Sequence, residues 1–142
     1  MGALILTPCA GEAELLDPEV TGEFAEAMAT IVAETHVTPW CGYVARRDGH
    51  PVGFGGFKGA PEDGVVEIGY MTFPRYTGTG VATDVAAQMI DIARDAGSIC
   101  VIAHTLCETN ASTAVLAGNG FVRDGFGHDD DVGEVWRWRF KL

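Results

Sequence analysis

The sequence predicts an α/β fold with a mixed central sheet of about six to seven strands and helices on both faces. Two observations lead to this prediction. First, three β-forming segments joined by short turns occupy residues 40–73, a pattern typical of an antiparallel meander. Second, a glycine loop at residues 75–80 leads from the third segment into an amphipathic helix and then an apolar run. A strand, helix and strand linked in this way form a right-handed unit with parallel strands.

Length and composition predict one domain spanning residues 1–142. The chain has 142 residues, 47% of them hydrophobic, which is enough for a real core. Its net charge of −11 argues against nucleic-acid binding, which needs a basic surface. No apolar run approaches the ~18 residues of a membrane helix, and residues 1–10 lack the basic segment of a signal peptide. The four cysteines show no CxxC spacing, so we expect reduced thiols and a cytoplasmic protein.

The first forty residues predict an edge strand and one helix. Ala3 to Leu6 is a short apolar run that fits the strand. Asp17 followed by Pro18 is a helix-start signal, because aspartate caps a helix and proline fits its first turn. The helix is expected to run to about Glu34. Its apolar stripe consists of Val20, Phe24, Ala27, Met28, Ile31 and Val32.

The meander follows this helix. Trp40 to Arg47 and Pro51 to Lys58 read as two strands, and Asp48-Gly49 between them is typical of a type I′ hairpin turn. Gly59 to Gly64 turns the chain into the central strand. That strand is rich in β-forming residues, namely Val65, Val66, Ile68, Tyr70 and Phe73.

A helix and a parallel strand come next. The apolar stripe of the helix is predicted to be Val81, Val85, Met89, Ile92 and Ala96. Gly97 fits a C-terminal cap. Ser98 to Leu106 is an apolar run without alternation, which predicts a strand covered on both faces.

The chain is expected to end in a short helix and a hairpin. Thr109 or Asn110 caps the helix, which runs from Ala111 to about Ala117. The hairpin strands are predicted at Phe121 to Phe126 and Val135 to Phe140, around a turn from Gly127 to Gly133. One face of the second strand carries Trp136, Trp138 and Phe140, and the other carries Arg137 and Arg139.

The loop before the long helix predicts an anion site. Pro74 ends the central strand because it has no N–H for a ladder. The glycines that follow allow close approach to the backbone, and a helix N-terminus carries positive potential, so phosphate is the natural ligand. The spacing Arg75-x-x-Gly78-x-Gly80 is neither the phosphate-loop pattern G-x-x-x-x-G-K-[ST] nor the dinucleotide fingerprint G-x-G-x-x-G.

This spacing resembles the acyl-CoA signature [QR]-x-x-G-x-[GA] of the GNAT superfamily of N-acyltransferases. The predicted order of elements is similar to that fold over nearly the whole chain. The helix from Asn110 to Leu116, followed by Gly120-Phe121, resembles the superfamily's second motif. Together with Glu67-Ile-Gly-Tyr70, it is most similar to the branch of the RimJ and RimL ribosomal-protein acetyltransferases. The first forty residues match only in pattern.

The resemblance implies an acetyl-CoA-dependent N-acetyltransferase. Acetyl-CoA would act as the acyl donor, with its pyrophosphate held by the loop and helix start and its pantetheine paired with the end of the central strand. The residues implied in binding it are Met71, Thr72, Phe73, Arg75, Tyr76, Thr77, Gly78, Thr79, Gly80, Val81, Asn110 and Ser112. A backbone N–H near Met71 or Thr72 would polarise the thioester carbonyl. Transfer to the amine would be direct, without a covalent enzyme intermediate.

Two side chains are candidates for the chemical step. Glu67 lies on the central strand with Gly69 and Met71 on the same face, and would accept the amine's proton through a water. Its alternative role is that of a solvated strand residue or a partner for an arginine. Glu108 is the competing carboxylate. It follows the parallel strand, and its alternative role is to stabilise the N-terminus of the short helix.

The residue that would protonate the leaving thiolate differs from the family's pattern. Many GNAT enzymes have a tyrosine in the second-motif helix, but this chain has Leu116 there. Ser112 matches the serine implied in this role for the RimJ/RimL-like branch. Its alternative is an ordinary first-turn residue that bonds the backbone. A thiol of pKa ~8.5 needs little help to leave.

Several alternatives stay open. A non-catalytic acyl-CoA-binding sensor is the second reading, and a nucleotide-binding module is disfavoured because the loop has no lysine.

The acceptor is an amine-bearing small molecule or peptide that no motif identifies. A homodimer through Trp136 and Trp138 is an alternative if these side chains are not part of the core. His128 and the three aspartates after it lack convergent ligand spacing, so no metal site is predicted. His36 and His104 have no visible partner, and His104 is interpreted as structural.

Overall fold

A single seven-stranded sheet forms the centre of the molecule. The computed structural model describes residues 3–10, 13–33 and 37–142. The strand order is β1-β2-β3-β4-β5-β7-β6, and every neighbouring pair is antiparallel except β4 and β5. This is the mixed sheet that the sequence predicts, with β1 at one edge. The strands are β1 (Leu4–Pro8), β2 (Gly42–Arg47), β3 (His50–Phe57), β4 (Val65–Thr72), β5 (Cys100–Thr105), β6 (Val122–Asp129) and β7 (Gly133–Lys141).

Helices cover the two faces of the sheet and divide the interior into two clusters. They are α1 (Pro18–Thr21), α2 (Ala25–Ala33), α3 (Val81–Asp95) and α4 (Ala111–Gly118). The larger cluster lies under α3 and α4 and includes Val85, Leu116 and Trp138. The smaller one lies under α1 and α2 and includes Met28 and Phe73. Burial on both faces explains why nearly half the chain is hydrophobic.

The prediction of one continuous N-terminal helix is wrong. Asp17 does cap a helix, since its side chain accepts a bond from the Glu19 N–H. The helix stops at Gly22, which has φ of +58° and lies so close to Pro74 that a Cβ would be 2.8 Å from the proline Cγ. A short 3₁₀ turn then leads into α2, and another precedes α1 at Ala13–Leu16. The expected end at Glu34, like His36, lies outside the described residues.

The predicted meander is confirmed. Asp48 and Gly49 have φ of +54° and +80°, as a type I′ turn requires. Two glycines of β3 let α3 lie against the sheet, because a Cβ on Gly53 would be 2.8 Å from Val81 Cγ1. A Cβ on Gly55 would be 2.5 Å from Val85 Cγ1.

The parallel unit is confirmed too. Helix α3 ends at a left-handed Gly97 whose N–H bonds the Arg94 carbonyl, and the Ser98 N–H bonds the Ala93 carbonyl. The buried stripe of α3 includes Ile90 and Ala93 and leaves out the exposed Ala96, which corrects the end of the predicted stripe. Strand β5 then returns beside β4 in parallel register.

The final hairpin is longer than predicted. Its strands extend to Asp129 and restart at Gly133, so the turn spans residues 130–132 only. The alternation on β7 is confirmed. Trp138 is 9% exposed and belongs to the core, against which Trp136 packs, so the aromatic face proposed for a homodimer is largely interior.

Neither a membrane-crossing helix nor a metal cluster occurs in the described part of the chain. Every helix there is too short or too polar to span a bilayer. No group of three or more His, Cys, Asp or Glu side chains in residues 3–10, 13–33 and 37–142 could hold a metal ion.

Candidate active site

Strands β4 and β5 separate partway along their length. They pair at Val65–Cys100, Val66–Val101 and Glu67–Ile102, and the pairing stops there although both strands continue. The gap therefore opens at Glu67. On the other side of β4, the Lys58 N–H bonds the Glu67 carbonyl and the Phe73 N–H bonds the Val52 carbonyl, so odd-numbered residues direct their backbone groups to β3.

It follows that even-numbered residues of β4 present their backbone groups to the gap. Tyr70 and Thr72 lie beyond the last pair with β5, so their N–H and C=O groups are available to an extended ligand. The N–H of Met71 points to β3, so the prediction that Met71 donates to the thioester carbonyl is wrong. The N–H of Thr72 points to the gap, as that role requires. The side chain of Met71 still lines the cavity described below.

The glycine loop forms an open backbone concavity at the start of α3. Gly78 and Gly80 have φ of +81° and +83°, and a Cβ on either would meet nothing within 4 Å. The first helical acceptor is the Gly80 carbonyl, which the Asp84 N–H bonds. The first-turn N–H groups of residues 81–83 have no acceptor within the helix and face outward with the dipole of a 15-residue helix behind them. An anion fits this concavity.

Neighbouring groups hold the loop in place. The Thr79 hydroxyl donates to the Tyr76 carbonyl at 2.5 Å, and the Tyr76 N–H bonds the Phe73 carbonyl at 2.9 Å. Arg47 of β2 reaches the Thr79 carbonyl and the Asp84 carboxylate, each at 3.4 Å. These contacts tie the loop to the sheet.

A cavity of about 470 Å³ extends from the loop along the end of β4, at residues 70–72, to α4. It brings together seven residues predicted from the sequence: Met71, Thr72, Thr77, Gly78, Gly80, Val81 and Ser112. Its other lining residues are Phe24, Tyr70, Ala82, Thr83, Ala111 and Val115.

The remaining predicted binding residues lie outside this lining. Phe73 is fully buried in the smaller core cluster, and Arg75 is exposed in the 3₁₀ turn before the loop. Tyr76 and Thr79 shape the loop through the bonds given above. Asn110 caps α4, because its side chain accepts the Thr113 N–H at 3.0 Å, which decides between Thr109 and Asn110.

Tyr70 meets Ser112 at the cavity wall. The Tyr70 hydroxyl donates to the Ser112 carbonyl at 2.9 Å and lies 3.1 Å from the Ser112 Oγ. Burial raises the pKa of Tyr70, and its bond to Ser112 offsets part of that rise. The hydroxyl therefore keeps its proton at neutral pH. The sequence predicts Tyr70 as a β-forming residue of the central strand and as part of the Glu67-Ile-Gly-Tyr70 motif, but not its contact with Ser112.

Glu67 and His104 meet across the mouth of the gap. The Glu67 Oε2 is 3.0 Å from the His104 Nδ1 and 3.1 Å from the Lys58 Nζ. The Glu67 and His104 side chains are about one quarter exposed. His104, for which the sequence shows no partner, therefore has one in Glu67. Glu108, the competing carboxylate, is exposed after β5, and its side chain makes no hydrogen bond or ion pair within the described residues.

The two pairs lie on opposite faces of β4. Residues three apart on a strand point to opposite sides, so Glu67 faces away from α4 while Tyr70 faces towards it. An extended ligand that enters the gap between β4 and β5 from the glycine loop would pass Tyr70 and Ser112 before it reaches Glu67. The arrangement can hold a leaving group on one face and a nucleophile on the other.

Comparison with known proteins identifies the family. A family model described as an acetyltransferase (GNAT) domain matches residues 12–122. No curated protein sequence matches.

Solved structures share the fold. A GNAT-family acetyltransferase from Bacillus anthracis has a TM-score of 0.79 and 16% identity over 97% of this chain and 94% of that one. YncA of Salmonella typhimurium, solved with acetyl-CoA, has a TM-score of 0.70 and 18% identity over 99% and 95%. The RimL ribosomal L7/L12 α-N-protein acetyltransferase, solved with coenzyme A, has a TM-score of 0.64 and 17% identity over 71% and 61%. The family model covers well over half of the sequence, and the chain therefore belongs to the GNAT family of acetyltransferases.

Proposed function

We propose that this protein transfers an acetyl group directly from acetyl-CoA to a primary amine. The observation that carries the proposal is that one cavity runs from the anion-binding loop to residues 70–72 of β4, which lie beyond the last pair of β4 with β5. A ligand with a pyrophosphate at one end and a thioester at the other matches that path. The pyrophosphate would lie on the backbone N–H groups of residues 78–83. The pantetheine amides would bond the backbone of Tyr70 and Thr72.

Glu67 is our candidate for the base. Transfer requires a neutral amine, whereas a lysine-type amine has a pKa of ~10.4 and an α-amine of ~7.7–8.0. Glu67 lies where the gap opens, on the face away from the leaving group, and its Oε2 already accepts two bonds. The other oxygen, Oε1, then takes the amine's proton directly or through a water.

Ser112 and Tyr70 serve the leaving thiolate. The N–H of Thr72 would stabilise the oxyanion that forms when the amine attacks the thioester carbon. The C–S bond then breaks, and the thiolate accepts hydrogen bonds on the α4 side, where the two hydroxyls converge. The single Tyr70 proton lies on the Ser112 carbonyl, so Tyr70 would exchange that acceptor for the thiolate when the C–S bond breaks. A thiolate of pKa ~8.5 is a weaker base than tyrosinate, so Tyr70 would stabilise it as a donor and keep its proton.

The acceptor class is proposed more broadly. The motif Glu67-Ile-Gly-Tyr70 and the fold shared with RimL support the RimJ/RimL-like branch, and with it a small amine or a protein N-terminus. The buried Cys41 and Cys100 form no disulfide in the described chain, which fits the reducing cytoplasm.

The test is release of free CoA thiol from acetyl-CoA with a panel of amines. The panel contains spermidine, tobramycin, lysine and a peptide with a free N-terminus, and mass spectrometry identifies the acetylated product. Turnover of at least one amine above the rate in buffer is expected. Tight binding of acetyl-CoA without any turnover would favour the sensor reading instead.

A further inference from the structure

We propose that His104 positions Glu67 for proton transfer, and that Gly127 supplies the space His104 needs. This inference rests on the proposed function. It adds a residue from β5 and one from β6 to a site whose sequence motifs lie on β4 and α4. Neither residue belongs to those motifs.

The contact has a defined direction. An ionised carboxylate can only accept hydrogen bonds, so the His104 Nδ1 carries the proton that it shares with the Glu67 Oε2. Lys58 bonds the same oxygen, but its side chain is 58% exposed and holds only a surface ion pair. His104, at 24% exposure, is the more rigid of the two donors. Because His104 bonds Oε2, the carboxylate is held in one orientation. Its other oxygen, Oε1, is then free to accept the proton of the amine.

Gly127 determines where the imidazole can lie. A Cβ at this position would be 2.7 Å from both the Cδ2 and the Nε2 of His104, closer than non-bonded atoms approach. Its next contact would be Val135 Cγ2 at an acceptable 3.4 Å. No positive φ requires glycine here. An alanine would therefore act mainly on His104 and displace its ring from the position in which Nδ1 bonds Glu67.

The charged groups around this pair are few. Arg137 is the register partner of His104 on β7, and its guanidinium is bound to Asp124. His128 and Asp129 lie at the end of β6, and Lys58 faces Asp129 as well as Glu67. Of these groups, Lys58 also donates to the Glu67 Oε2, but its side chain is mostly exposed, so His104 is the donor that packing holds in place.

The test is a mutational cycle at two positions. In His104→Asn the amide nitrogen takes the place of Nδ1, and the ring atoms that a Cβ at position 127 would strike are absent. His104→Gln lacks a donor at that place. We expect Gly127→Ala, His104→Ala and His104→Gln to lower kcat by about 100-fold, the loss that a 1 Å misplacement can cause. His104→Asn should retain most of the rate, and Gly127→Ala should have no further effect in that background.

Two further readouts separate positioning from a structural role. Nitrogen-15 NMR of the imidazole should show a protonated Nδ1 in the wild type and its loss in Gly127→Ala. The rate lost in His104→Ala should be largest at low pH, as in Glu67→Gln, and the double variant should be no slower than Glu67→Gln alone. The KM for acetyl-CoA should stay unchanged.

The outcomes are distinct. Wild-type kcat in Gly127→Ala or His104→Ala would overturn the inference, as would an equal loss from Gly127→Ala in the His104→Asn background. Wild-type protein that acetylates none of spermidine, tobramycin, lysine or the peptide would overturn the proposed function and this inference with it, whatever the NMR shows.

Discussion

The hydroxyl of Tyr70 bonds the carbonyl of Ser112 at 2.9 Å and so joins the central strand to the first turn of α4. In the absence of a tyrosine at position 116, this bond brings a phenol to the leaving-group side from a different element. Under the proposed function this side chain would serve both stability and chemistry, and the two contributions can be measured separately.

Tyr70→Phe removes only that hydroxyl. We expect a loss of about 1 kcal/mol in unfolding free energy, the usual net value of one hydrogen bond, and a kcat lowered by tenfold or more. Urea unfolding and steady-state kinetics measure the two effects. Ser112→Ala should also lower kcat, with little change in the pH profile. A wild-type kcat in both variants would remove this pair from the chemistry.

The raised pKa of Tyr70 gives a stability prediction with a definite sign. The folded state binds the phenolic proton more tightly than the unfolded chain, whose tyrosine pKa is about 10. The stabilisation is fully present below pH 10 and is lost as the pH rises through the folded value. Tyr70→Phe should therefore flatten the alkaline loss of stability above pH 10, measured by urea unfolding across pH. An unchanged alkaline limb would contradict the assignment.

Acetyl-CoA or CoA should stabilise the fold, whereas NAD and ATP should do so much less. A one-site ligand at a hundred times its Kd adds roughly 2.7 kcal/mol, which gives a clear rise in melting temperature. Scanning calorimetry at matched ligand concentrations is the measurement. The absence of any shift with millimolar CoA would contradict the donor assignment.

Thr83→Glu should separate phosphate binding from helix stability. Thr83 is exposed in the first turn of α3 and lines the cavity. A glutamate there favours the helix dipole but repels a pyrophosphate, so we expect at least tenfold weaker CoA binding without loss of stability. Thr30→Glu on the exposed side of α2 is the matched charge control. Equal affinities for CoA in the two variants would place the pyrophosphate elsewhere.

Glu67→Gln tests the base. It keeps the shape and removes the charge, so kcat/KM should fall by up to about 10²–10⁴-fold and recover partly as the pH rises and the amine loses its own proton. Glu108→Gln is the control. If Glu67→Gln keeps wild-type rates at every pH while Glu108→Gln does not, the two carboxylates exchange roles.

Gly55→Ala should destabilise the protein by about 1–3 kcal/mol, because its Cβ would press on Val85 and Met89 of α3. Gly118→Ala is the matched control: a Cβ there meets nothing within 4 Å, and alanine favours a helix by up to ~1 kcal/mol. Thermal unfolding of both variants measures the contrast. Equal melting temperatures would show that β3 and α3 adjust to each other freely.

The sequence predicted most of the fold because its local signals were strong. Asp17-Pro18, Asp48-Gly49 and Gly97 each mark an element boundary through backbone chemistry alone. The break at Gly22 is not predicted; there φ is +58° and the glycine packs closely against Pro74, about fifty residues further along the chain. Local propensity carries no information about such a contact.

The candidate site divides in the same way. The loop residues could be found from spacing, since glycine at positive φ and a helix start lie within one short segment. The contact between Glu67 and His104 could not be predicted from spacing, because it depends on the register that pairs Val65 with Cys100. No local pattern fixes a parallel register. The alternation of side chains places His104 on one face of β5, but only the register shows that Glu67 lies beside it.

The short pairing between β4 and β5 leaves backbone hydrogen-bonding groups of β4 unpaired inside the sheet. Three residue pairs join a four-stranded half to a three-stranded half, and the amides of Tyr70 and Thr72 form an edge inside the molecule. An extended donor in that gap would act as an added strand and couple the two halves into one cooperative unit. Amide hydrogen exchange at these two positions would then report occupancy, fast in the free protein and slow when the strand is supplied from outside the chain.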